Sequence, residues 1–282
     1  MTSSSLPPSA DRIAVPFLPQ DGVSWVSGET EPPLSEHTVC AWLDATAERL
    51  PDHPAAVFRD QGIRWSWRGL RDEADRLAAG LHALGLRKGE RIGIWSPNRS
   101  EWVLAQYATA RLGLILVNIN PAYRLSELEY ALNKVSCRAV ISAPAFKTSQ
   151  YLQMLQTLAP ELARCEPGRL ASERLPHLQI VIRMGLEKTP GMLNLADVLA
   201  LGSDEHRAAA RAIGDTLSCF DPINIQFTSG TTGNPKGATL THHNIVNNAI
   251  AVAAAMGFGQ ADRLCIPVPL YHCFGMVMSS LV

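Results

Sequence analysis

The 282-residue chain is short of net charge, of paired cysteines and of long apolar runs. Its 25 Lys and Arg nearly cancel its 26 Asp and Glu, leaving a formal net charge of -1. That balance provides no basic footprint, so nucleic acid is not an expected partner. The six cysteines, at 40, 137, 165, 219, 265 and 273, are scattered without a Cys-x-x-Cys pair. They read as reduced, mostly buried thiols, and the chain is expected to be cytoplasmic. Its first residues lack a basic region followed by an apolar one, which argues against secretion. The longest apolar run, Ala249 to Phe258, is far below the ~20 residues of a spanning helix, so no integral membrane contact is expected. With 46% hydrophobic and 18% charged residues, the chain can still bury a sizeable core.

Charge is also missing locally. From Pro222 to Ala261 the one Asp, Glu, Lys or Arg is Lys236. It sits in Asn-Ile-Gln-Phe-Thr-Ser-Gly-Thr-Thr-Gly-Asn-Pro-Lys-Gly, where an alternating apolar run over Ile223 to Phe227 enters a loop of small residues. Glycines let backbone N–H groups converge on one point, which makes an anion-binding concavity. The hydroxyls of Thr228, Ser229, Thr231 and Thr232 add donors, and Lys236 adds a mobile positive charge. With no carboxylate nearby, that charge is left to a distant partner, water or an external anion, and the loop around it suits a phosphate. The spacing is not a Walker A loop, because four residues after Gly230 comes Pro235 and Gly237 follows the lysine.

The ten residues Thr228, Ser229, Gly230, Thr231, Thr232, Gly233, Asn234, Pro235, Lys236 and Gly237 closely resemble the phosphate loop of the adenylate-forming (AMP-binding) enzymes. That superfamily includes acyl-CoA synthetases, luciferases and amino-acid adenylation domains. Pro269-Leu270-Tyr271-His272-Cys273-Phe274-Gly275 is similar to the Pro-x-x-His-x-x-Gly element of its acyl-CoA synthetases. Gly89 to Asn98 and Asn118 to Leu132 resemble the fatty acyl branch, and Asn224 to Asn248 the medium-chain branch. The resemblance runs from about residue 35 to the end. It implies a parent enzyme that joins a fatty carboxylate to ATP as acyl-adenylate and then passes the acyl group to CoA. Residues 228–237 would bind the nucleotide phosphates, with Lys236 and His272 as the catalytic candidates. ATP, Mg²⁺ and CoA are the implied cofactors, and a fatty or other apolar carboxylate is the implied substrate.

The family's adenine, ribose, Mg²⁺ and C-terminal lysine motifs find no match here, so the chain reads as an N-terminal fragment. On its own it is expected to be inactive. The alternatives are a non-catalytic scaffold and a luciferase-like or amino-acid-adenylating parent; oligomerisation is left open. His242, His243 and His272 lack a His-Glu-x-x-His pattern, so no metal site is expected. His242-His243-Asn244 reads as a helix opening, and Cys273 as a packing residue whose side chain points away from that of His272.

In chain order, residues 1–34 are rich in Ser, Pro and Gly and read as an arm before a domain over 35–282, with a subdomain change near 215–222. Strands alternating with helices of ordinary length predict an α/β fold of βαβ units: mostly parallel sheets flanked by helices. Expected helices include 35–50, 66–84 and 241–256, and expected strands include 91–96, 114–118, 138–142, 178–182 and 263–268. The pairs Arg68–Asp72, Arg71–Asp75 and Asp72–Arg76 lie four residues apart, which places them on a solvated helix face.

Overall fold

A computed structural model describes residues 31, 33–228 and 234–281 of the protein. Ser35–Val282 form one compact unit. Helix α1 (Val39–Arg49) starts at Thr38, whose hydroxyl accepts from the Ala41 N–H, and ends ahead of Pro51. A small antiparallel hairpin follows, β1 (Pro54–Phe58) and β2 (Ile63–Ser66), turning through Gly62 at φ 64°. Ser66 caps α2 (Trp67–Ala83) by accepting from the Gly69 N–H at 3.2 Å, as its position before an apolar-periodic run predicts.

The main sheet is assembled from β3 (Arg91–Trp95), β4 (Ile115–Asn118), β5 (Ala139–Ser142), β6 (Ile180–Arg183), β7 (Leu193–Asn194), β8 (Pro222–Thr228) and β9 (Lys236–Thr241). Its seven strands run in the order β7-β6-β5-β3-β4-β8-β9, with every pairing parallel except β8 with β9. Strands β3 to β6 read as near-continuous apolar runs because helices cover both faces of a parallel sheet. Their connections are α3 (Ser100–Arg111), α4 (Leu125–Lys134) and α5 (Tyr151–Leu158). Two further helices, α6 (Leu195–Leu201) and α7 (Asp204–Gly214), join α2, while α4 meets α5. Then α8 (His242–Met256) follows β9, and a single turn, α9 (Cys273–Met276), ends the series. The predicted α/β class with a mostly parallel sheet is therefore the observed one.

Three local expectations fail. The segment 263–268 forms no strand and pairs with no described strand, and Leu264 is 43% exposed. Lys236–Thr241 is a strand, not the tail of a loop. The four-apart ion pairs of α2 do not form either. Arg68 pairs with Asp52, Arg76 with Glu73, and Arg71 with its neighbour Asp72. Asp75 is 1% exposed and bridges Arg111 at 2.9 Å and Arg211 at 2.7 Å. Arg111 in turn pairs with Asp44 at 2.6 Å, so one buried carboxylate links α2, α3 and α7. Local helix spacing was outcompeted by arginines that the fold brings in from other elements.

A candidate carboxylate-activating site

The site is built on the β8–β9 hairpin. β8 is apolar and buried as far as Gln226, then becomes half-buried at Phe227 and exposed at Thr228. Thr228 and Lys236 are partners in register, and the Thr228 hydroxyl donates to the Lys236 carbonyl at 3.4 Å. The two flanks of the glycine-rich loop are thus held one strand spacing apart, about 4.8 Å. Ser229, Gly230, Thr231, Thr232 and Gly233 lie outside the described residues. Of the other candidates, Asn234 is exposed, Pro235 half-buried, and Lys236 and Gly237 are exposed on β9. Gly237 lies where a Cβ would come within 3.1 Å of Ile225 Cγ2, so the bare backbone keeps the hairpin closed.

A brace from α4 fixes the outgoing arm: Tyr130 donates its phenolic O–H to the Pro235 carbonyl at 3.1 Å. Its ring meets Phe227 edge-on, with centroids 6.5 Å apart. Behind the hairpin, Thr241 and Asn244 cap α8 reciprocally, at 3.1 and 3.0 Å. Beside them His243 stacks on Phe220, with ring centroids 5.0 Å apart. His242 is fully buried and its Nδ1 accepts from the Val39 N–H at 3.2 Å. Burial pushes its pKa down to about 4, so this imidazole is neutral.

The second motif folds back over the sheet. His272 is exposed and caps α9, its Nδ1 accepting from the Phe274 N–H at 3.3 Å. Gly275 is required there, since a Cβ would come within 2.3 Å of the Pro269 carbonyl oxygen. Asn98, in the loop after β3, clamps this segment from below: its amide donates to the Val268 carbonyl at 2.7 Å and accepts from the Leu270 N–H at 2.8 Å. Cys273 does more than pack, because its thiol donates to Gln226 Oε1 on β8 at 2.6 Å. Partial burial holds that thiol above its ordinary pKa, which keeps the donor proton in place. The chain therefore joins the strand of the first motif to the turn of the second through one side-chain hydrogen bond.

Tyr130, Asn98 and Gln226 carry this arrangement and were assigned no role from sequence. The three histidines 242, 243 and 272 serve separate structural partners. Among the described residues, no group of three or more His, Cys, Asp or Glu is placed to hold a metal ion. No described helix is long and apolar enough to cross a membrane.

Comparison with known proteins gives a family and a length. Residues 43–282 match the family model described as AMP-binding enzyme. The chain is 48% identical over 270 residues to mouse medium-chain acyl-CoA ligase ACSF2, mitochondrial, covering 94% of this chain and 44% of that relative. It thus spans less than half the length of the curated relatives it matches. Among solved structures, the anthranilate CoA ligase AuaEII with anthranoyl-AMP superposes at TM-score 0.73 and 22% identity, over 89% of this chain and 44% of that one. That likeness shows the fold. ATP-bound MatB from Rhodopseudomonas palustris superposes at TM-score 0.67 and 26% identity, over 87% of this chain and 43% of that one. The cytoplasmic expectation is overturned, because the mouse, rat, zebrafish and cattle relatives are all named mitochondrial. Mitochondrial targeting follows an amphipathic, arginine-rich pattern that differs from a secretory signal.

Proposed function

Because the chain belongs to the AMP-binding enzyme family, we propose that it forms the phosphate-holding part of an ATP-dependent carboxylate–CoA ligase acting on a medium-chain or similar apolar acid. The reaction joins the carboxylate to the α-phosphate of ATP, releases pyrophosphate, and then transfers the acyl group to the CoA thiol with release of AMP. The observation that carries this reading is the register of Thr228 with Lys236 at the mouth of the β8–β9 hairpin, whose strand β8 is bonded through Gln226 to Cys273 beside His272. Residues 228–237 bind the β- and γ-phosphates, and Lys236 supplies the counter-charge. His272 orients the incoming carboxylate. First-step catalysis here is positioning and charge neutralisation more than covalent chemistry.

The residues present fit a phosphate tail: exposed hydroxyl and ammonium groups stand at a hairpin mouth, and the Tyr130 brace keeps the outgoing arm in place. Mg²⁺ bound with the nucleotide would share its negative charge, and this chain contributes Lys236 to the same task. Residues 35–282 form the adenylation domain in this reading, with a subdomain change near 215–222, while nearly all of the arm expected over 1–34 lies outside the described residues. The names of the relatives favour a ligase over a scaffold. The isolated 282-residue chain is expected to lack ligase activity, because it spans 44% of the length of the ligase it matches.

The experiment is ATP–pyrophosphate exchange in the full-length protein with octanoate, followed by AMP release with and without CoA. Octanoate-dependent exchange and CoA-dependent AMP release are expected. Exchange that ignores octanoate, or octanoate-dependent AMP release that needs no CoA, would overturn the ligase reading.

A further inference from the structure

In a doubly wound sheet the usual ligand crevice lies where strand order reverses, at the carboxyl ends of the strands. Here that point is between β3 and β5. It is closed: Trp95 stacks on Tyr151 with ring centroids 3.9 Å apart, and both rings are buried. Trp95 Nε1 donates to the Asn120 carbonyl at 3.1 Å and the Tyr151 hydroxyl to the Pro121 carbonyl at 2.7 Å. Both aromatic polar atoms there are thus taken up by backbone carbonyls.

The unused donors lie two strands further along. Asn118 at the end of β4 and Gln226 on β8 are register partners. Their side chains therefore leave the same face of the sheet from backbones about 4.8 Å apart. Asn118 is 1% exposed and Gln226 4% exposed, yet Asn118 Nδ2 and Gln226 Nε2 have no hydrogen-bond partner. The orientation of the Asn118 amide is fixed by what holds its oxygen, and in this structure the Gln226 amide turns its oxygen to the Cys273 thiol. Asn118 Oδ1 accepts from Trp102 Nε1 at 3.2 Å, and an indole N–H only donates, so the NH₂ must be the other end. Gln226 Oε1 is taken by the Cys273 thiol.

Two residues earlier on β8 there is a contrast, where Asn224 meets Gln106 of α3. Asn224 and Gln106 bond each other reciprocally at 3.0 and 3.1 Å. Leaving a buried donor unmet costs about 1–3 kcal/mol, so two adjacent ones call for a partner supplied from outside.

We infer that Asn118 and Gln226 together form a buried two-donor site for a carboxylate oxygen of the acid substrate. This rests on the ligase reading above. Two NH₂ groups on neighbouring strands suit an acceptor with several lone pairs, and an ionised carboxylate accepts more strongly than a neutral group. The location fits as well. Gln226 is two residues before Thr228, which opens the phosphate loop, and its oxygen is bound to Cys273 next to His272. An acid held there lies between the two motifs that are to act on it.

The test uses the full-length protein without nucleotide. In wild type with ¹⁵N-labelled Asn and Gln, the side-chain NH₂ resonances of Asn118 and Gln226, assigned through single substitutions, are followed as octanoate or octan-1-ol is added. Both pairs are expected to shift with octanoate and stay in place with octan-1-ol. Asn118→Asp and Gln226→Met are then expected to weaken octanoate binding roughly tenfold or more each. In exchange assays they raise the KM for octanoate and leave the KM for ATP unchanged. Resonances that ignore octanoate would mean that the amides hold an ordered water, and the inference would be wrong. Equal shifts with octan-1-ol would also overturn it, since the site would not require a carboxylate. Loss of exchange in Lys236→Ala bears only on the phosphate loop, so the two readings fail separately.

Discussion

Thr228 and Lys236 face each other across the β8–β9 ladder, with the Thr228 hydroxyl bonded to the Lys236 carbonyl at 3.4 Å. That bond uses the lysine's backbone and leaves its ammonium on an exposed strand end. The nearest acidic neighbour in sequence on the β8 side, Asp221, is engaged by Lys88 at 2.6 Å. Replacing Lys236 with Ala should therefore remove charge from the nucleotide site without unpairing a carboxylate. We expect ATP–pyrophosphate exchange in the full-length protein to fall roughly ten- to a hundredfold, the equivalent of one charged hydrogen bond. The urea midpoint should stay unchanged. Unaltered exchange would remove Lys236 from the site.

The His272 turn depends on a missing side chain. Gly275→Ala places a methyl against the Pro269 carbonyl, and backbone cannot yield as a side-chain tip does. Overpacking of this kind costs about 1–3 kcal/mol. Asn98→Ala removes the two bonds that hold Val268 and Leu270 from below. Both variants should speed amide exchange at Leu270 and lower kcat for adenylation more than they raise the KM for ATP. Unchanged exchange at Leu270 in both would show that the turn is held by something else.

Asp75 is the carboxylate on which the helical layer closes. Asp75→Ala leaves Arg111 buried with only Asp44 and strips Arg211 of its bond. Breaking one partner of a buried ion pair typically costs about 3–5 kcal/mol. A loss of that order is expected in urea unfolding. A loss below about 1 kcal/mol would place Asp75 with the weak surface pairs instead.

His242 should make stability pH-dependent. Its folded pKa is pushed down to about 4 by burial first, with Lys88 acting the same way and Asp221 opposing. The unfolded chain therefore takes up a proton near pH 6.5 that the folded chain refuses. The native state loses stability as pH falls from about 6.5 to about 4, by about 3 kcal/mol in total, with no further loss from this group below that. The geometry agrees, because protonating Nδ1 would set it against the Val39 N–H that it now accepts. His242→Asn keeps an acceptor and removes the titration. Urea midpoints at pH 7 and pH 5 should differ less in the variant than in wild type, and an equal difference would contradict the assignment.

What the sequence made legible was whatever is encoded locally. Thr38, Ser66 and Thr241 announce helix starts through hydroxyls that bond within the next turn. The apolar runs of β3 to β6 announce buried parallel strands. The glycine-rich loop and the Pro-x-x-His-x-x-Gly element were visible as motifs. What stayed hidden depends on a distant partner. Lys-Gly-Ala-Thr-Leu-Thr is a strand only because β8 pairs with it, and its exposed residues show no burial pattern to reveal that. Arg263 to Val268 is apolar enough to read as a strand but pairs with no described strand. Helical spacing sets Asp75 against Arg71 one turn away, whereas its partners arrive from 36 and 136 residues further along. Tyr130 and Gln226 gave no local signal because each acts through an atom on another element.

The Asn98 clamp bears on the order in which the protein assembles. Its two bonds to the His272 segment close loops of 170 and 172 residues, among the longest-range contacts in the fold. Contacts of such separation form late, because loop-closure entropy is lost before they stabilise anything. The turn that presents His272 therefore settles after the parallel sheet has formed, on a platform supplied by the first third of the chain. A folding intermediate with β3 to β6 in place would show native far-UV signal while its substrate-facing turn was still unformed.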